Sequence, residues 1–154
     1  MFARTVPLSP DVYHYFLEME TSRSIRYCHF FSLCHLGIDQ ISSNDHLMVR
    51  SIADIVRETI RGTDLLGFAG DRTLSILLLN TEIQGAYVIA ERLRNRVAEQ
   101  TFSDDQAPIR LTASIGGACF PTHGNDATTL IWKANEMLAF ARAQGGNRTA
   151  VPTA

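Results

Sequence analysis

Residues 65–79 read LLGFAGDRTLSILLL, with two short apolar runs at 65–69 and 73–79 on either side of Gly70-Asp71-Arg72. Two such runs separated by a short turn that contains glycine are typical of a β-hairpin. The segment therefore predicts two antiparallel strands. Because a hairpin joins neighbouring strands, the sheet that contains it is expected to be antiparallel at least in part.

Helices and strands alternate on both sides of this hairpin. Before it, residues 10–27 and 46–61 have helical periodicity, and residues 30–38 form a short, aromatic-rich apolar run typical of a buried strand. After it, we predict a helix over 81–99, a polar loop over 101–108, a strand over 109–118, a helix from Asn125 or Asp126 to Gly145-Gly146 and a short strand over 148–151. This order predicts an α/β fold with helices packed against one sheet.

The helical periodicity also predicts which large side chains reach the core. On the helix over 81–99, the inward face is expected to hold Ile83, Tyr87, Ala90, Leu93 and Val97. Trp132 and Phe140 lie on the last predicted helix, where ordinary packing is the favoured interpretation and a surface for a protein partner is the alternative.

Length, composition and charge limit the class of protein. The chain has 154 residues, of which 45% are hydrophobic and 19% charged. A chain of this size supports one hydrophobic core, so we expect a single domain over residues 1–154 with a tail at 152–154. A formal net charge of −2 argues against a protein that coats a nucleic acid polymer. Thirteen of the fourteen basic residues are arginines, so local anion sites are expected to use guanidinium donors.

The cysteines and the apolar runs indicate the compartment. Cys28, Cys34 and Cys119 have no metal-ligand spacing and are expected to be reduced core thiols. The longest strongly apolar run is residues 76–79, far below the ~20 residues that span a bilayer. The N-terminal residues lack the apolar run of a signal peptide. We therefore expect a cytoplasmic domain without a membrane contact.

Four short motifs occur in a fixed order along the chain. They are LEME at residues 17–20, LTASIG at 111–116 with Pro121 and Gly124 after it, ANEML at 134–138, and GGNR at 145–148. Over about residues 10–150, the chain thereby resembles the GGDEF domain of the bacterial diguanylate cyclases, which make cyclic di-GMP. The resemblance implies an α+β fold related to nucleotidyl cyclases and polymerase palms, with a central, mainly antiparallel five-stranded sheet flanked by helices.

At the catalytic positions of this family, the chain departs from the pattern. Joining two GTP molecules needs two Mg²⁺ ions held by carboxylates, and the matching positions here are Gly37 and Arg72, with Thr73 after the latter. The resemblance therefore implies a degenerate domain without cyclase activity, bound metal or other cofactor. Asp39 and Asp71 are the nearest carboxylates that could replace a metal ligand. The family's substrate-binding positions hold Ser42, His46 and Arg142.

The segment Arg61-Gly62-Thr63-Asp64 lies five residues before Gly70. The resemblance identifies an RxxD at this place with the family's inhibitory site for cyclic di-GMP, and Arg92 with a further arginine of that site. An arginine fork can bind a guanine edge or a phosphate oxygen, and an aspartate can accept hydrogen bonds from guanine. We therefore predict an inactive receptor that binds cyclic di-GMP through these three residues and regulates a partner protein.

Two alternatives to this receptor stay open. Arg61 and Asp64 can persist as an ordinary surface ion pair, in which case the domain would act as a ligand-independent interaction or dimerisation module. The third interpretation is a residual diguanylate cyclase. The implied macromolecular partner is another protein or a second copy of this chain.

Overall fold

The computed structural model describes residues 6–40, 46–70, 72–104 and 107–153. Its helices are α1 (Pro10–Tyr27), α2 (His46–Thr59), α3 (Ile83–Glu99) and α4 (Ala127–Ala143). Its strands are β1 (Phe31–Ile38), β2 (Leu65–Phe68), β3 (Thr73–Leu79), β4 (Thr101–Asp104), β5 (Ala107–Arg110), β6 (Ala113–Phe120) and β7 (Thr149–Ala150). Ser42 and Asp71, two residues singled out in the sequence, lie outside the described residues.

The central sheet has five strands in the order β2-β3-β1-β6-β7. β1 pairs antiparallel with both β3 and β6, and β2 pairs antiparallel with β3. The pairing of β6 with β7 is parallel. The hairpin at residues 65–79 and the mainly antiparallel sheet are thereby confirmed.

A short piece of chain before α1 adds to the edge of this sheet. The Leu8 N–H donates to the Leu66 carbonyl at 3.0 Å, and the Leu8 carbonyl accepts from the Phe68 N–H at 2.9 Å. Leu8 thereby forms an isolated parallel bridge with Gly67. The outer edge of β2 is therefore partly covered by residues that precede the first helix.

Helices cover both faces of the sheet. α2 and α3 pack on one face, against Leu36 and Ile76, whereas α1 and α4 pack on the other, against Leu33 and Leu77. β1 and β6 are buried along their whole length because each of their faces lies under a helix layer. For the same reason Ser114, which alternates with apolar neighbours, is fully buried.

Glycine at position 116 lets α4 lie directly on the sheet. A Cβ atom there would come within 2.1 Å of the Leu138 backbone nitrogen and 2.5 Å of the Ala134 carbonyl oxygen. Backbone atoms of a helix cannot move aside as the end of a side chain can. The distance between α4 and β6 therefore depends on this glycine.

The helix ends follow the signals in the sequence. The Ser9 side chain accepts a hydrogen bond from the Val12 N–H at the start of α1, and the Asp126 side chain accepts one from the Thr129 N–H at the start of α4. After α4 the chain leaves through Gly145 and Gly146, with φ values of 116° and 74°. Positive φ favours glycine, so the predicted helix stop is confirmed.

Residues 101–118 differ from the prediction. The polar loop expected over 101–108 is a hairpin of β4 and β5, and the strand expected over 109–118 is divided between β5 and β6. The division falls at Thr112, whose N–H donates to Gln40 Oε1 and whose carbonyl accepts from the Asp39 N–H. These bonds attach Thr112 to the chain that follows β1.

Several side chains expected in the core are exposed instead. On α3 the buried face runs through Ala86, Ala90, Leu93 and Val97, which leaves Tyr87 exposed. On α4 the buried face runs through Leu130, Ala134 and Leu138. Trp132 and Phe140 therefore point away from the sheet and are exposed, so the expectation of ordinary packing is wrong for both.

The three cysteines are free, as expected, but they do not all lie in the core. Cys34 and Cys119 are buried, whereas Cys28 is exposed at the left-handed C-cap of α1. In the described ranges no helix is long and apolar enough to cross a membrane.

Candidate ligand-binding cleft

The predicted Arg61 and Asp64 occupy the turn between α2 and β2. The Asp64 carboxylate is only 1% exposed, and each of its oxygens accepts two hydrogen bonds. One oxygen accepts from the Arg61 N–H and Arg61 Nε at 3.0 and 3.2 Å, and the other from Arg61 Nη2 and the Leu79 N–H at 3.2 and 3.0 Å. A buried carboxylate with this many donors is well stabilised.

The Arg61 guanidinium is fixed by the same arrangement. Besides its bonds to Asp64, Nη2 donates to Thr81 Oγ1 at 3.0 Å and to the Leu79 carbonyl. The Arg61 side chain is nevertheless 54% exposed. The turn therefore presents an oriented positive charge to the solvent.

Arg61, Asp64 and Arg92 line one cleft of about 670 Å³, together with Asn80, Thr81 and Glu82. Arg92 comes from α3, and the other two residues come from the turn after α2. The fold thus brings the three predicted binding residues to one place. Glu82 adds a negative charge to the rim, so the cleft is not uniformly basic.

The other arginines of α3 have carboxylate partners. Arg94 lies 2.7 Å from Glu91, and the hydrogen bond lowers the pKa of that carboxyl, with burial opposing the change. Arg96 lies 2.8 Å from Glu58. Arg92 forms no ion pair within the part of the chain that the structure describes, and it is exposed in the cleft. It is therefore the α3 arginine best placed to meet an anion.

The positions matched to the metal carboxylates lie at the opposite end of β3. Gly37 pairs with Thr73 across β1 and β3, and with Ser114 across β1 and β6. A Cβ atom at Gly37 would stand 2.0 Å from Arg142 Nη2 and 2.8 Å from Arg142 Cζ. The guanidinium of Arg142, from α4, therefore occupies the space into which a side chain at position 37 would extend.

Asp39 is engaged in structural hydrogen bonds. Its carboxylate accepts from Thr112 Oγ1 at 2.7 Å, from Ser114 Oγ at 2.8 Å and from the Asn147 N–H at 3.0 Å. Asp39 therefore fastens the turn after α4 to the end of β1. A carboxylate used in this way is a poor replacement for a metal ligand.

The described residues at this end do not fit a pair of Mg²⁺ ions. Gly37 offers no side-chain ligand, the Arg142 guanidinium beside it is positively charged, and Arg72 adds a second positive side chain. Across residues 6–40, 46–70, 72–104 and 107–153, no group of three or more His, Cys, Asp or Glu side chains is placed to hold a metal ion. Magnesium requires hard oxygen donors at fixed positions.

His35 lies two residues before Gly37 in β1, so the two residues face the same side of the sheet. Its Nδ1 is 2.6 Å from Asn135 Oδ1 of α4. Burial lowers the pKa of this histidine, and the hydrogen bond to Asn135 opposes the change in part. A neutral imidazole that is hydrogen-bonded to α4 has a structural role here.

One residue of the cleft, Thr81, was not predicted from the sequence as part of the site. Thr81, which accepts a hydrogen bond from Arg61, lies two residues after β3 and could have been found as one of the two polar residues that follow the predicted strand. Arg142 and Gly37 are far apart in sequence. Their contact depends on α4 lying across β1, which no local pattern reveals.

Comparisons with known proteins identify relatives of this chain. The model of a protein family described as "Diguanylate cyclase, GGDEF domain" matches residues 43–148. The chain is 26% identical over 102 residues to Diguanylate cyclase A of Treponema denticola, and 29% identical over 133 residues to the uncharacterized protein YhcK of Bacillus subtilis. These matches cover 66% and 78% of this chain but 28% and 36% of the relatives. The chain thus spans about a third of the length of these relatives.

Solved structures share the fold over nearly the whole chain. The GGDEF domain of PA1120 from Pseudomonas aeruginosa superimposes with a TM-score of 0.88 at 16% identity, covering 98% of this chain and 99% of that one. The GGDEF domain of DgcB from Caulobacter crescentus, in complex with c-di-GMP, gives 0.84 at 14% identity, covering 98% of each chain. Diguanylate cyclase SiaD from P. aeruginosa, in complex with its activator SiaC, gives 0.84 at 22% identity, covering 94% and 58%. The fold expected from the motifs is confirmed.

Proposed function

This chain belongs to the GGDEF family, and we propose that it is a catalytically inactive member that binds cyclic di-GMP in the cleft of Arg61, Asp64 and Arg92. The observation that supports binding is the convergence of these three residues on one cleft of about 670 Å³. Small-molecule sites typically have volumes of about 300–1,000 Å³. The related GGDEF domain of DgcB has a structure in complex with c-di-GMP.

Arg61 and Arg92 supply the positive charge in this proposal. Their guanidinium groups can bind phosphate oxygens or the O6 and N7 atoms of guanine. Because Arg61 is held by Asp64 and Thr81, it loses little side-chain entropy when a ligand binds. Arg92 is exposed and would become ordered with the ligand.

Asp64 has a positioning role in this proposal. The sequence predicts that Asp64 accepts hydrogen bonds from guanine, but each carboxylate oxygen already accepts two hydrogen bonds. Contact with guanine would require one of these bonds to be exchanged. In the described conformation the carboxylate orients Arg61 toward the cleft, and that is the role we propose for it.

Loss of catalysis is proposed from the hairpin end. Gly37 provides no carboxylate, and Arg142 fills the adjacent space. Two unit charges of the same sign at 4 Å repel by about 4 kcal/mol at an effective dielectric constant near 20, so a guanidinium at this position opposes a divalent cation. We therefore propose that Gly37, Arg72 and Thr73 stand where the family's active members hold their metal ions.

Calorimetry with cyclic di-GMP tests the binding proposal. Wild type is expected to bind in the micromolar range, and Arg61→Ala is expected to abolish the heat signal. Arg110→Ala removes an exposed arginine of β5 and serves as the matched control, which should bind as wild type does. Absence of a heat signal with wild type, or an equal loss in both variants, would overturn the proposal.

An activity assay tests the loss of catalysis separately. The protein is incubated with GTP and either Mg²⁺ or Mn²⁺, and the products are separated by chromatography. We expect no cyclic dinucleotide. Turnover would show that a residual cyclase survives and that the metal positions are misassigned.

A signalling role requires a partner, which we propose to be a cytoplasmic protein. The structure of the relative SiaD with its activator SiaC is a case of such a pairing. The second candidate function, a ligand-independent interaction module, is favoured by the exposed Trp132 and Phe140 on α4. A partner that is recovered equally from cells with and without cyclic di-GMP would favour this second function.

A further inference from the structure

Glu82 lines the cleft of Arg61 and Arg92, and the proposed function gives it no role. It is the N-cap residue of α3, but its side chain forms no capping hydrogen bond. It also takes no part in the salt bridges between described residues. Glu82 is exposed, so both oxygens of its carboxylate are available to accept hydrogen bonds from a ligand.

The other acceptors of the cleft are already engaged. Asp64 is the second carboxylate among the described residues that line the cleft, and each of its oxygens accepts two hydrogen bonds from the protein. The Thr81 hydroxyl donates to the Leu79 carbonyl at 2.8 Å and accepts from Arg61 at 3.0 Å. Within the described part of the cleft, Glu82 is therefore the carboxylate that a ligand can reach.

We propose that Glu82 makes the cleft specific for guanine, by accepting hydrogen bonds from the N1–H and the 2-amino group of one base of cyclic di-GMP. This inference rests on the proposed function, because it concerns the same ligand in the same cleft. The two donors are neighbours on the guanine ring, and a carboxylate can accept both in parallel, as it does from an arginine fork. The side chains of Asn80 and Gln84, which also line the cleft, each pair one acceptor with one donor group. An amide therefore does not match two neighbouring donors.

Arg61 is placed to bind the adjacent edge of the same base. Its Nη2 donates to Thr81 Oγ1 at 3.0 Å, and Thr81 directly precedes Glu82 in the chain. An arginine fork binds the O6 and N7 atoms of guanine, and N1–H follows O6 on the ring. One guanine can therefore accept from Arg61 and donate to Glu82.

The α3 wall of the cleft separates charges of opposite sign. At spacings of three or four residues, one face of the helix holds Glu82, Gly85, Ile89 and Arg92. Arg92 follows Glu82 by ten residues, or about 15 Å along the helix axis. A ligand whose base lies at Glu82 can thus direct its phosphates toward Arg92 and away from the carboxylate. A Cβ atom at Gly85 would stand 3.2 Å from Thr81 Cγ2, so glycine leaves room between the two charges.

Calorimetry with two cyclic dinucleotides tests the contact directly. Cyclic di-IMP carries hypoxanthine, which keeps O6, N7 and N1–H but lacks the 2-amino group of guanine. Wild type should bind cyclic di-GMP about tenfold more tightly than cyclic di-IMP, because the analogue loses a hydrogen bond to a charged acceptor. In Glu82→Gln this preference should fall to about twofold, since the amide cannot accept from both donors. A variant that keeps the wild-type preference would overturn the proposal.

Glu99→Gln is the matched control. It makes the same change at an exposed glutamate at the other end of α3, outside the cleft, and should keep the wild-type preference. Circular dichroism checks that both variants stay folded, which is expected for Glu82→Gln because the Glu82 side chain does not cap the helix. An equal loss of preference in the two variants would mean that net charge sets the preference, and the proposal would be wrong.

Asp64→Asn separates the roles of the two carboxylates. If Asp64 exchanges one of its hydrogen bonds to contact guanine, the preference will persist in Glu82→Gln and fall in Asp64→Asn, which would exclude the role of Glu82. A wild type that binds both cyclic dinucleotides equally well would also exclude it, but would leave the binding of cyclic di-GMP intact. A wild type that binds neither would overturn the proposed function as well. The two failures can therefore be told apart.

Discussion

β3 connects two regions of opposite character. Its last residue, Leu79, meets Asp64 at the cleft, and its first residue, Thr73, pairs with Gly37 near the hairpin turn. The seven residues of β3 separate these regions by about 20 Å. At the cleft, a buried carboxylate holds a half-exposed guanidinium beside open space. At the hairpin end, a guanidinium lies where a side chain at position 37 would be.

Recognition and catalysis make separate demands on this fold. Recognition needs donors that are held in place, and the cleft has them. Phosphoryl transfer also needs metal ions at fixed positions, and the described residues of the hairpin end do not supply the ligands. We therefore propose that binding has been kept at one end of β3 while chemistry has been lost at the other.

Asp64→Ala is expected to have the largest effect on stability, because it removes the buried carboxylate that holds the turn at the cleft. The variant leaves the Leu79 N–H without its acceptor and releases Arg61. We expect the free energy of unfolding to fall by about 3 kcal/mol, measured by urea denaturation. Asp64→Asn keeps the shape and one acceptor oxygen, so it should lose less. A fully stable Asp64→Ala protein would show that the carboxylate is not central to this turn.

Two glycines that face α4 test how closely that helix packs on the sheet. Gly116→Ala pushes a methyl group against the backbone of α4 and should lower the free energy of unfolding by about 2 kcal/mol. Gly37→Ala meets only the movable end of Arg142 and should change stability by less than about 1 kcal/mol. Thermal denaturation of both variants measures the difference. Equal losses would mean that Arg142 is held as rigidly as a helix backbone.

Arg92→Ala probes the cleft without disturbing its frame. Because Arg92 forms no ion pair with the described residues, its removal should leave stability unchanged and weaken cyclic di-GMP binding about tenfold, or about 1.4 kcal/mol. Arg94→Ala, which removes a neighbour already paired with Glu91, is the control and should bind normally. Calorimetry that finds the larger loss in Arg94→Ala would move the ligand away from Arg92.

The smallest expected effect concerns His35, which connects β1 to α4. Burial lowers its pKa in the folded state below the ordinary value of 6.5, so the unfolded chain binds more protons between the two values. The contribution of His35 to the free energy of unfolding is therefore fully present above about pH 6.5 and decreases as the pH falls below that value. His35→Leu should show a weaker pH dependence in urea denaturation. The pKa of His123 is also lowered by burial, so a residual dependence is expected in the variant.

The elements with strong local signals were predictable from the sequence. The hairpin at 65–79, the Ser9 and Asp126 caps and the glycine stop after α4 all depend on neighbouring residues. The β4–β5 hairpin was missed because residues 101–110 are largely polar and have no alternating apolar pattern. Within the described part, residues 101, 103, 107, 108 and 110 are exposed. Tyr87 was misplaced because a helix face is defined by what packs on it, and here the small Ala86 lies toward the sheet.

The candidate site, like the fold, was only partly predictable from the sequence. The position of Arg61 and Asp64 relative to the hairpin identified the turn, and the structure brings Arg92 to the same cleft. The burial of Asp64 and the contact of Arg142 with Gly37 depend on tertiary packing. The sequence predicts that a metal-binding carboxylate is missing at Gly37, but it does not reveal that Arg142 lies beside that position.

Leu8 gives the molecule a mechanical link that the separate elements do not suggest. Its two backbone hydrogen bonds reach Leu66 and Phe68 on either side of Gly67, and the strand they hold leads directly into the hairpin turn. A pull on the residues before α1 is thus transmitted to the sheet edge through the main chain, without passing through the helix. Because β2 joins the cleft turn at Asp64 to the hairpin turn after Phe68, a displacement of these residues would reach both ends of β2.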